Sequence, residues 1–457
     1  MVGTIPADRL FKDAGSQWLG NIPAEWGLKR LKFLVSCVGG GTPATGNPDF
    51  WGGEIPWVSP KDMKSGIITK TEDYLTESGV RGSATSIIQP DAVLVVVRSG
   101  ILRHSIPAAR NLVPVSLNQD MKALIPSSEL MTTYLYWIIE GCQKQLLPLW
   151  SKSGCTVESI ELDYMLGTEM PVPALYEQKA IARFLDFKTA QIDALIAKKQ
   201  ALLDKLAEKR IALISHAVTK GLDPSVPMRD SGVEWLGGIP AYWKTTRIKF
   251  VARIGNGSTP SREKSDYWID GHFPWLNSSM VNQEEVTASD QFVTDLALKE
   301  CHLPIVDPPA VLVGITGQGK TRGMASKLNM IATINQHLAF IKPTTNDISI
   351  DYLLFLFERA YSFLRSESDS GGSTKGAITC EQIANLEIPL PPVTEQESIE
   401  RHIREELGAL CDMSRSVSTV VDKLQEYRSA LITNAVTGKI DVRGFTIPEH
   451  AKELAHA

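Results

Sequence analysis

Gly314 to Thr321, GITGQGKT, satisfies the spacing G-x-x-x-x-G-K-[ST], in which backbone amides cradle a nucleotide's phosphates and the lysine reaches the terminal ones. That chemistry needs the lysine to open a helix whose N-terminus faces the phosphate. The residues after Thr321 bring Gly323 at once and then a β-rich continuation, and the strand before them, AVLVGI from Ala310, is the only part of the pattern in its proper setting. Lys320 and Arg322 therefore read as phosphate-facing charges on a loop, with a P-loop nucleotide-binding enzyme using Lys320 as the alternative. Two tetrapeptides, Asn47-Pro48-Asp49-Phe50 and Asp307-Pro308-Pro309-Ala310, approach the [DNS]PP[YFW] pattern of amino-methyltransferases. The first lacks the second proline and the second lacks the aromatic that would stack on a target base; turn chemistry explains both. No GxSxG element occurs. The six cysteines (Cys37, Cys142, Cys155, Cys301, Cys380, Cys411) form no CxxC pair and the eight histidines no HExxH, so no metal site, cofactor or catalytic residue is expected in this chain.

The elements that would position any site come twice. DAGSQWLGNIPAEW from Asp13 returns as DSGVEWLGGIPAYW from Asp230, an offset of 235 − 18 = 217 at the shared tryptophan. RLKF at Arg30 returns as RIKF at Arg247, GTP at Gly41 as STP at Ser258, and Phe50-Trp51 as Tyr267-Trp268. After one inserted residue the offset becomes 275 − 57 = 218, which matches Trp57 to Trp275, AVLVVV at Ala92 to AVLVGI at Ala310, and Glu177-Gln178 to Glu395-Gln396. Asn118-Gln119 returns as Asn335-Gln336. The repeat covers nearly the whole chain, so duplication comes before any other inference about the fold.

Within each copy, short β-branched runs alternate with Gly/Pro/Ser/Asn turns and brief helical stretches, the pattern of an α+β domain. Each copy closes with a heptad helix. In the first, Leu185, Ile192, Lys199, Leu206 and Leu213 hold one position and Ile181, Lys188, Leu195 and Leu202 the other. In the second, Ile403, Leu410, Val417, Leu424 and Leu431 hold the first position and Ile399, Glu406, Met413, Val420 and Tyr427 the other. A capping box at Thr394 and Glu397 is expected to start the second helix, with Gly221 and Gly438 as C-caps. About 40 residues of helix rise roughly 60 Å, and an apolar stripe of that length needs a partner. Residues 171–229 carry 10 Lys+Arg against 6 Asp+Glu, and residues 389–457 carry 8 against 11, so the two helices are expected to pair antiparallel about a pseudo-twofold axis with complementary charge. Lys188, Lys199 and Glu406 interrupt the seam and are candidate docking points for another subunit. The expected division is a recognition domain at 1–170, a helical spacer at 171–222, a second recognition domain at 223–388 and a second spacer at 389–457.

Composition agrees with a globular chain of several domains: 457 residues exceed one core, and 43% hydrophobic with 22% charged residues is ordinary. No apolar run approaches the roughly 18 residues of a membrane span. The N-terminus lacks a secretion signal, so a cytoplasmic location is expected. A net charge of −5 argues against a diffuse phosphate-binding surface, though not against a local one.

Taken together, W-LG-IP-W, the turns at Thr42 and Thr259, and the proline-rich entry to Glu-Gln before each long helix resemble the specificity subunit of type I restriction-modification enzymes over the whole chain. The resemblance implies that each α+β domain reads one half of a bipartite double-stranded DNA site. It implies that the helices act as a ruler and dock two modification subunits, which carry S-adenosylmethionine and flip the adenine they methylate. Restriction subunits using ATP and magnesium for translocation and cleavage would complete the assembly. The candidate DNA contacts are Thr42, Lys61, Arg98 and Arg103 in the first half and Thr259, Ser278, Lys320 and Arg322 in the second. Lys152 and Lys375, in the matched loops SKSGCT and SGGSTKG, join them. Asn118-Gln119 and Asn335-Gln336 read equally as structural, and Trp57 and Trp275 read as core in preference to stacking platforms. A duplicated protein-interaction scaffold without a DNA role is a further alternative.

Overall fold

The computed structural model describes residues 9–16, 18–152, 157–317, 319–370 and 376–448. The chain divides into two compact units, residues 1–200 with 419–457 and residues 201–418. In the first, a five-stranded sheet runs in the order Val35–Gly39, Met121–Pro126, Val93–Val96, Ala108–Asn111, Ile67–Ile68, antiparallel except for its last pair. Val93 and Val95 of the central strand point into a core shared with the helix Thr132–Gly141, while Leu94 and Val96 point into a second cluster with Val58, Ile68 and Leu117. Both faces are covered, which is why this run is apolar throughout instead of alternating. The second unit repeats the arrangement strand for strand: Ala252–Asn256, Leu338–Pro343, Ala310–Gly314, Ala325–Leu328, Glu285–Val286. There Val311 and Val313 face one cluster and Ala310 and Leu312 the other. A three-stranded sheet lies beside each, Ser116–Leu117, Trp51–Val58, Asp73–Leu75 in the first unit and Thr333–Ile334, Phe273–Leu276, Phe292–Val293 in the second. The expected α+β repeat is therefore present in topology as well as in sequence.

The repeated Glu-Gln pair locks each long helix to its domain. Gln178 is fully buried; its Oε1 accepts from the Met131 amide (2.8 Å) and its Nε2 donates to the carbonyls of Glu129 (2.9 Å) and Pro173 (2.9 Å). Gln396 makes the same three bonds to Ser349 (2.8 Å), Asp347 (2.7 Å) and Pro391 (2.9 Å). The carboxylates of Glu177 and Glu395 accept the indole N–H of Trp26 (3.0 Å) and Trp243 (3.1 Å), the last residues of the repeated W-LG-IP-W stretch. The sequence motif is thus a structural clamp between the start of a domain and the start of its helix.

The long helices span Leu175–Lys220 and Val393–Val436, and Gly221 (φ 71°) and Gly438 (φ 74°) end them in the left-handed conformation expected of C-caps. The expected capping box is not what begins the second helix. Thr394 already lies inside it, and the carbonyl of Pro392 receives the amides of Glu395 (2.9 Å) and Gln396 (3.0 Å).

Within each unit the two helices run antiparallel. In the first, Arg183 bonds the carbonyl of Phe445 (3.1 Å) while Asp193, farther along, pairs with Arg428 (2.8 Å). In the second, Ile214 and Val218 share a cluster with Ile399 and Ile403, and Leu206 shares a groove with Leu410. Of the expected pairing residues, Leu185, Ile192, Leu206, Ile403, Leu410 and Leu431 are buried, and Leu213, Val417 and Leu424 are half-buried. The other heptad position holds at Ile181 and Ile399, which are buried, and is corrected farther along, where Leu195 (41% exposed), Met413 (51%), Val420 (40%) and Tyr427 (48%) face outward. Beyond the helix starts the seam is instead completed four residues after each position of the first series, by Thr189, Ile196 and Leu203 on one helix and Leu407, Ser414 and Val421 on the other, all buried or half-buried. The charge expectation is also revised, because the ion pair joining the helices in the first unit takes its acid, Asp193, from the basic segment and its base, Arg428, from the acidic one. Apolar contact carries the pairing.

Each domain also holds the far end of a long helix. Tyr134 Oη donates to the carbonyl of Val436 (3.3 Å) in the first unit and Tyr352 Oη to that of Val218 (3.0 Å) in the second, the same contact by the repeat register. Beside Tyr352, Lys327, Asp351, Glu400 and Arg404 form a charge cluster. Burial raises the Asp351 carboxyl, but Lys327 (2.9 Å) and Arg404 more than offset it, so the group titrates below the usual carboxylate range. A depressed native value means stability present above the unfolded pKa, about 3.9, and lost as pH falls through the native one. Glu400, raised by its burial, has the opposite sign and weakens the unit as pH climbs past about 4.3. Asp351→Asn is expected to flatten the loss of stability below pH 4, read as melting temperature against pH; an unchanged acid slope would show that other carboxylates govern it.

Candidate nucleic-acid interface

One loop in each half is pinned by two tryptophans. In the first half, Trp57 Nε1 donates to the Gly41 carbonyl (3.1 Å) and Trp51 Nε1 to that of Ala44 (3.2 Å), the two rings meeting edge-on at 5.1 Å. In the second, Trp275 bonds Ser258 (3.1 Å), Trp268 bonds Ser261 (2.9 Å), and the rings meet at 5.3 Å. Trp57 and Trp275 are buried, in keeping with the core reading. Before each loop the chain lies directly on a strand, as only glycine permits: a Cβ at Gly40 would sit 2.1 Å from the Asn118 carbonyl, and one at Gly257 1.6 Å from that of Ile334.

The pinned loop presents a threonine to a glutamine. The exposed Thr42 hydroxyl donates to Gln119 Oε1, and Thr259 does the same to Gln336 (2.5 Å). The Asn-Gln pair thereby divides its roles. Asn118 and Asn335 are buried and shape the turn, accepting from the amides of Asp120 (2.9 Å) and His337 (3.0 Å), while Gln119 and Gln336 stand exposed beside the threonines. Held at its oxygen by a hydroxyl, the Gln119 amide keeps its N–H donors and one acceptor lone pair for a ligand edge, whereas Gln336 Nε2 also lies 3.1 Å from His337 Nε2.

The expected cations occupy varied settings. Lys61 sits between Asp73 (2.8 Å) and Glu72 (3.3 Å), and the Asp73 hydrogen bond raises its pKa. Arg98 pairs with Asp120 (2.6 Å), Arg103 with Glu158, and Lys152 with Glu161 (3.2 Å). Ser278 opens the short turn Ser278–Asn282 and is half-buried. Lys320 is exposed on a turn that leads into the strand Ala325–Leu328, and among the described residues no helix begins there to receive phosphate. Arg322 departs from the expectation of a loop charge open to phosphate: it is 4% exposed and bonded to Asp369 (2.6 Å). The cause is Arg365, which bonds the carbonyls of Gly319 (2.8 Å) and Arg322 (3.1 Å) and draws the loop onto the helix Ile350–Ser370. Lys375 lies outside the described residues.

Of the expected residues, Lys61 is joined through Asp73 to the strand of Trp57, whose indole holds the Gly41 carbonyl next to Thr42; in the second half Trp275 and Trp268 hold the carbonyls of Ser258 and Ser261 on either side of Thr259. Sequence reasoning left Gln119 and Gln336 undecided and passed over Arg262. The glutamines carried a usable signal, since they recur at one repeat position next to a polar turn. Arg262 carried none, because its counterpart is Thr45.

Residues 23–205 and 240–403, one stretch in each half, match the family described as type I restriction modification DNA specificity domain. The chain belongs to this family. Each matched specificity domain contains one pinned loop with its Thr-Gln pair. The chain is 40% identical over 163 residues to the type I restriction enzyme EcoR124I/EcoR124II specificity subunit of Escherichia coli, a match covering 35% of this chain and 40% of that protein. It is 23% identical over 433 residues to the MjaIX specificity subunit of Methanocaldococcus jannaschii, covering 93% of this chain and 95% of that one. A solved structure described under complex assembly and conformational transition of the type I R-M system aligns with a TM-score of 0.69 over 91% of this chain and 98% of that chain, at 17% identity. That likeness supports a shared fold for the specificity-domain pair. Among the described residues no helix is long and apolar enough to cross a membrane, and no cluster of His, Cys, Asp and Glu suits a metal ion.

Proposed function

We propose that this chain is the non-catalytic DNA specificity subunit of a type I restriction-modification system, each half reading one part of a bipartite duplex site. The observation that carries this reading is the same tryptophan-pinned Thr-Gln loop in both matched specificity domains, surrounded by residues that differ between the halves. Two readers of one design with different rims suit two different half-sites, centred about 10 base pairs apart if both approach one face of the duplex. Residues 1–170 and 223–388 would be the recognition domains and 171–222 and 389–457 the spacers. The outward apolar residues Leu195, Met413, Val420 and Tyr427 suit docking of two modification subunits supplying S-adenosylmethionine and adenine methylation, with restriction subunits supplying ATP-driven translocation. Such a complex would work in the cytoplasm.

The test is the genomic methylation motif of a host with and without this gene. A split motif that appears with the gene supports the reading; a methylome that does not change sinks it and favours a protein-interaction scaffold. The strand after Lys320 argues against the P-loop alternative. Calorimetry of the chain with ATP is expected to show no saturable binding, and micromolar affinity lost in Lys320→Ala would reverse that conclusion.

A further inference from the structure

The two halves share the pinned loop but differ at its rim. In the first half the strand position paired with Trp57 is Asp73, which neutralises Lys61 at 2.8 Å. In the second half the position paired with Trp275 is Gln291, through the Trp275 amide and the Gln291 carbonyl (2.9 Å). Its side chain holds a different cation: Arg262 Nη2 donates to Gln291 Oε1 at 2.7 Å. Arg262 lies three residues after Thr259 on the pinned loop, with its guanidinium 3.7 Å from the centre of the Trp268 ring and 5.3 Å from that of Trp275. It is exposed, and among the described residues no carboxylate pairs with it. Lys264, its neighbour, is held by Glu300 (2.7 Å) and Tyr267 (3.0 Å) and stays apart from this arrangement.

A guanidinium stacked on an indole and tied at one nitrogen has its plane fixed before any ligand arrives. One of its five N–H donors is used, and the others remain. A planar fork of that kind matches the O6 and N7 acceptors of guanine in the major groove, and pre-orientation reduces the entropy lost on binding. We infer that Arg262 reads a guanine in the half-site bound by residues 223–388, and that the substitution of Gln291 for an acid at the strand position is what leaves its charge unneutralised for that role. The inference rests on the DNA-specificity reading of the chain. It also gives a physical basis for different half-sites, because Thr45 replaces the arginine in the first half.

The experiment uses the full chain in complex with its modification subunit, selecting from a duplex library randomised over both half-sites. Wild type is expected to require guanine at one position of the second half-site. Arg262→Ala is expected to relax that position by about 5- to 150-fold and leave the first half-site intact, the latter serving as an internal control for folding. Arg262→Lys keeps the charge without the planar fork and is expected to retain overall affinity while losing the guanine preference. An unchanged second half-site in Arg262→Ala overturns the inference. So does an equal loss of affinity across all sequences that Arg262→Lys restores, which marks a phosphate contact. A wild-type complex that selects no split sequence overturns the functional reading itself, a result distinct from both.

Discussion

Exchanging residues 1–170 for the corresponding segment of a relative with a different target is expected to replace one half of the recognised sequence completely and leave the other half unchanged. The expectation follows from how the first domain is closed. Its sheet, its pinned loop and both faces of its central strand are satisfied by residues of the first unit, and its connection to the long helix runs through the Glu177-Gln178 clamp. A transplanted domain that brings Trp26 and the carbonyl at Glu129 would find the same partners on the helix. Specific sites are bound about 10³- to 10⁷-fold more tightly than non-specific DNA, so a complete change in one half-motif is a large effect, read directly from the methylation pattern of the host. A change in both halves would show that the domains do not read independently.

The second large effect is on stability. Gln178→Met preserves the volume of the side chain but leaves the Met131 amide and the carbonyls of Glu129 and Pro173 without partners in a fully buried site. Unsatisfied buried polar groups cost about 1 to 3 kcal/mol each, and three neighbours relaxing together give an expected loss of about 3 to 5 kcal/mol. Hydrogen exchange followed by mass spectrometry should show residues 127–132 losing protection while residues 345–350 keep theirs, with Gln396→Met giving the mirror result. Equal loss of protection in both places would mean that the clamp does not act locally. The clamp also explains why Glu-Gln recurs before each helix: a neutral amide satisfies one donor and two acceptors at a point where the chain turns from a strand into a helix without regular backbone pairing.

Much of this was legible in advance, for reasons that differ by feature. Duplication, strand runs such as AVLVVV and AVLVGI, the C-cap glycines and the two long helices are local patterns, and local sterics and periodicity express them directly. The heptad reading found the buried series Leu185, Ile192, Leu206 and Ile403, Leu410, Leu431, but its companion holds only near the helix starts, at Ile181 and Ile399, because two helices packed partly on a domain are not a free coiled coil. Where the first helix lies against Tyr134 and Trp137, the domain sets its rotation, and the second seam position shifts from Leu195 to Ile196. The candidate contacts were harder still. Residue type marked Lys61, Arg98, Arg103 and Lys152 as cations suited to phosphate, and it could not show that each already faces a carboxylate.

By itself, then, the sequence determined that there are two α+β halves, that each ends in a long helix, and that no metal or nucleophile constellation is written into its motifs. Tertiary structure alone decided which polar residues stand together: Thr42 with Gln119 across 77 positions, Thr259 with Gln336 across the same interval, and Arg262 with Gln291 over Trp268. The physical reason is range. Helix and strand preferences act over a few residues and leave a periodic trace in the chain, whereas a recognition surface forms where distant turns are brought side by side by the packing of the sheets beneath them.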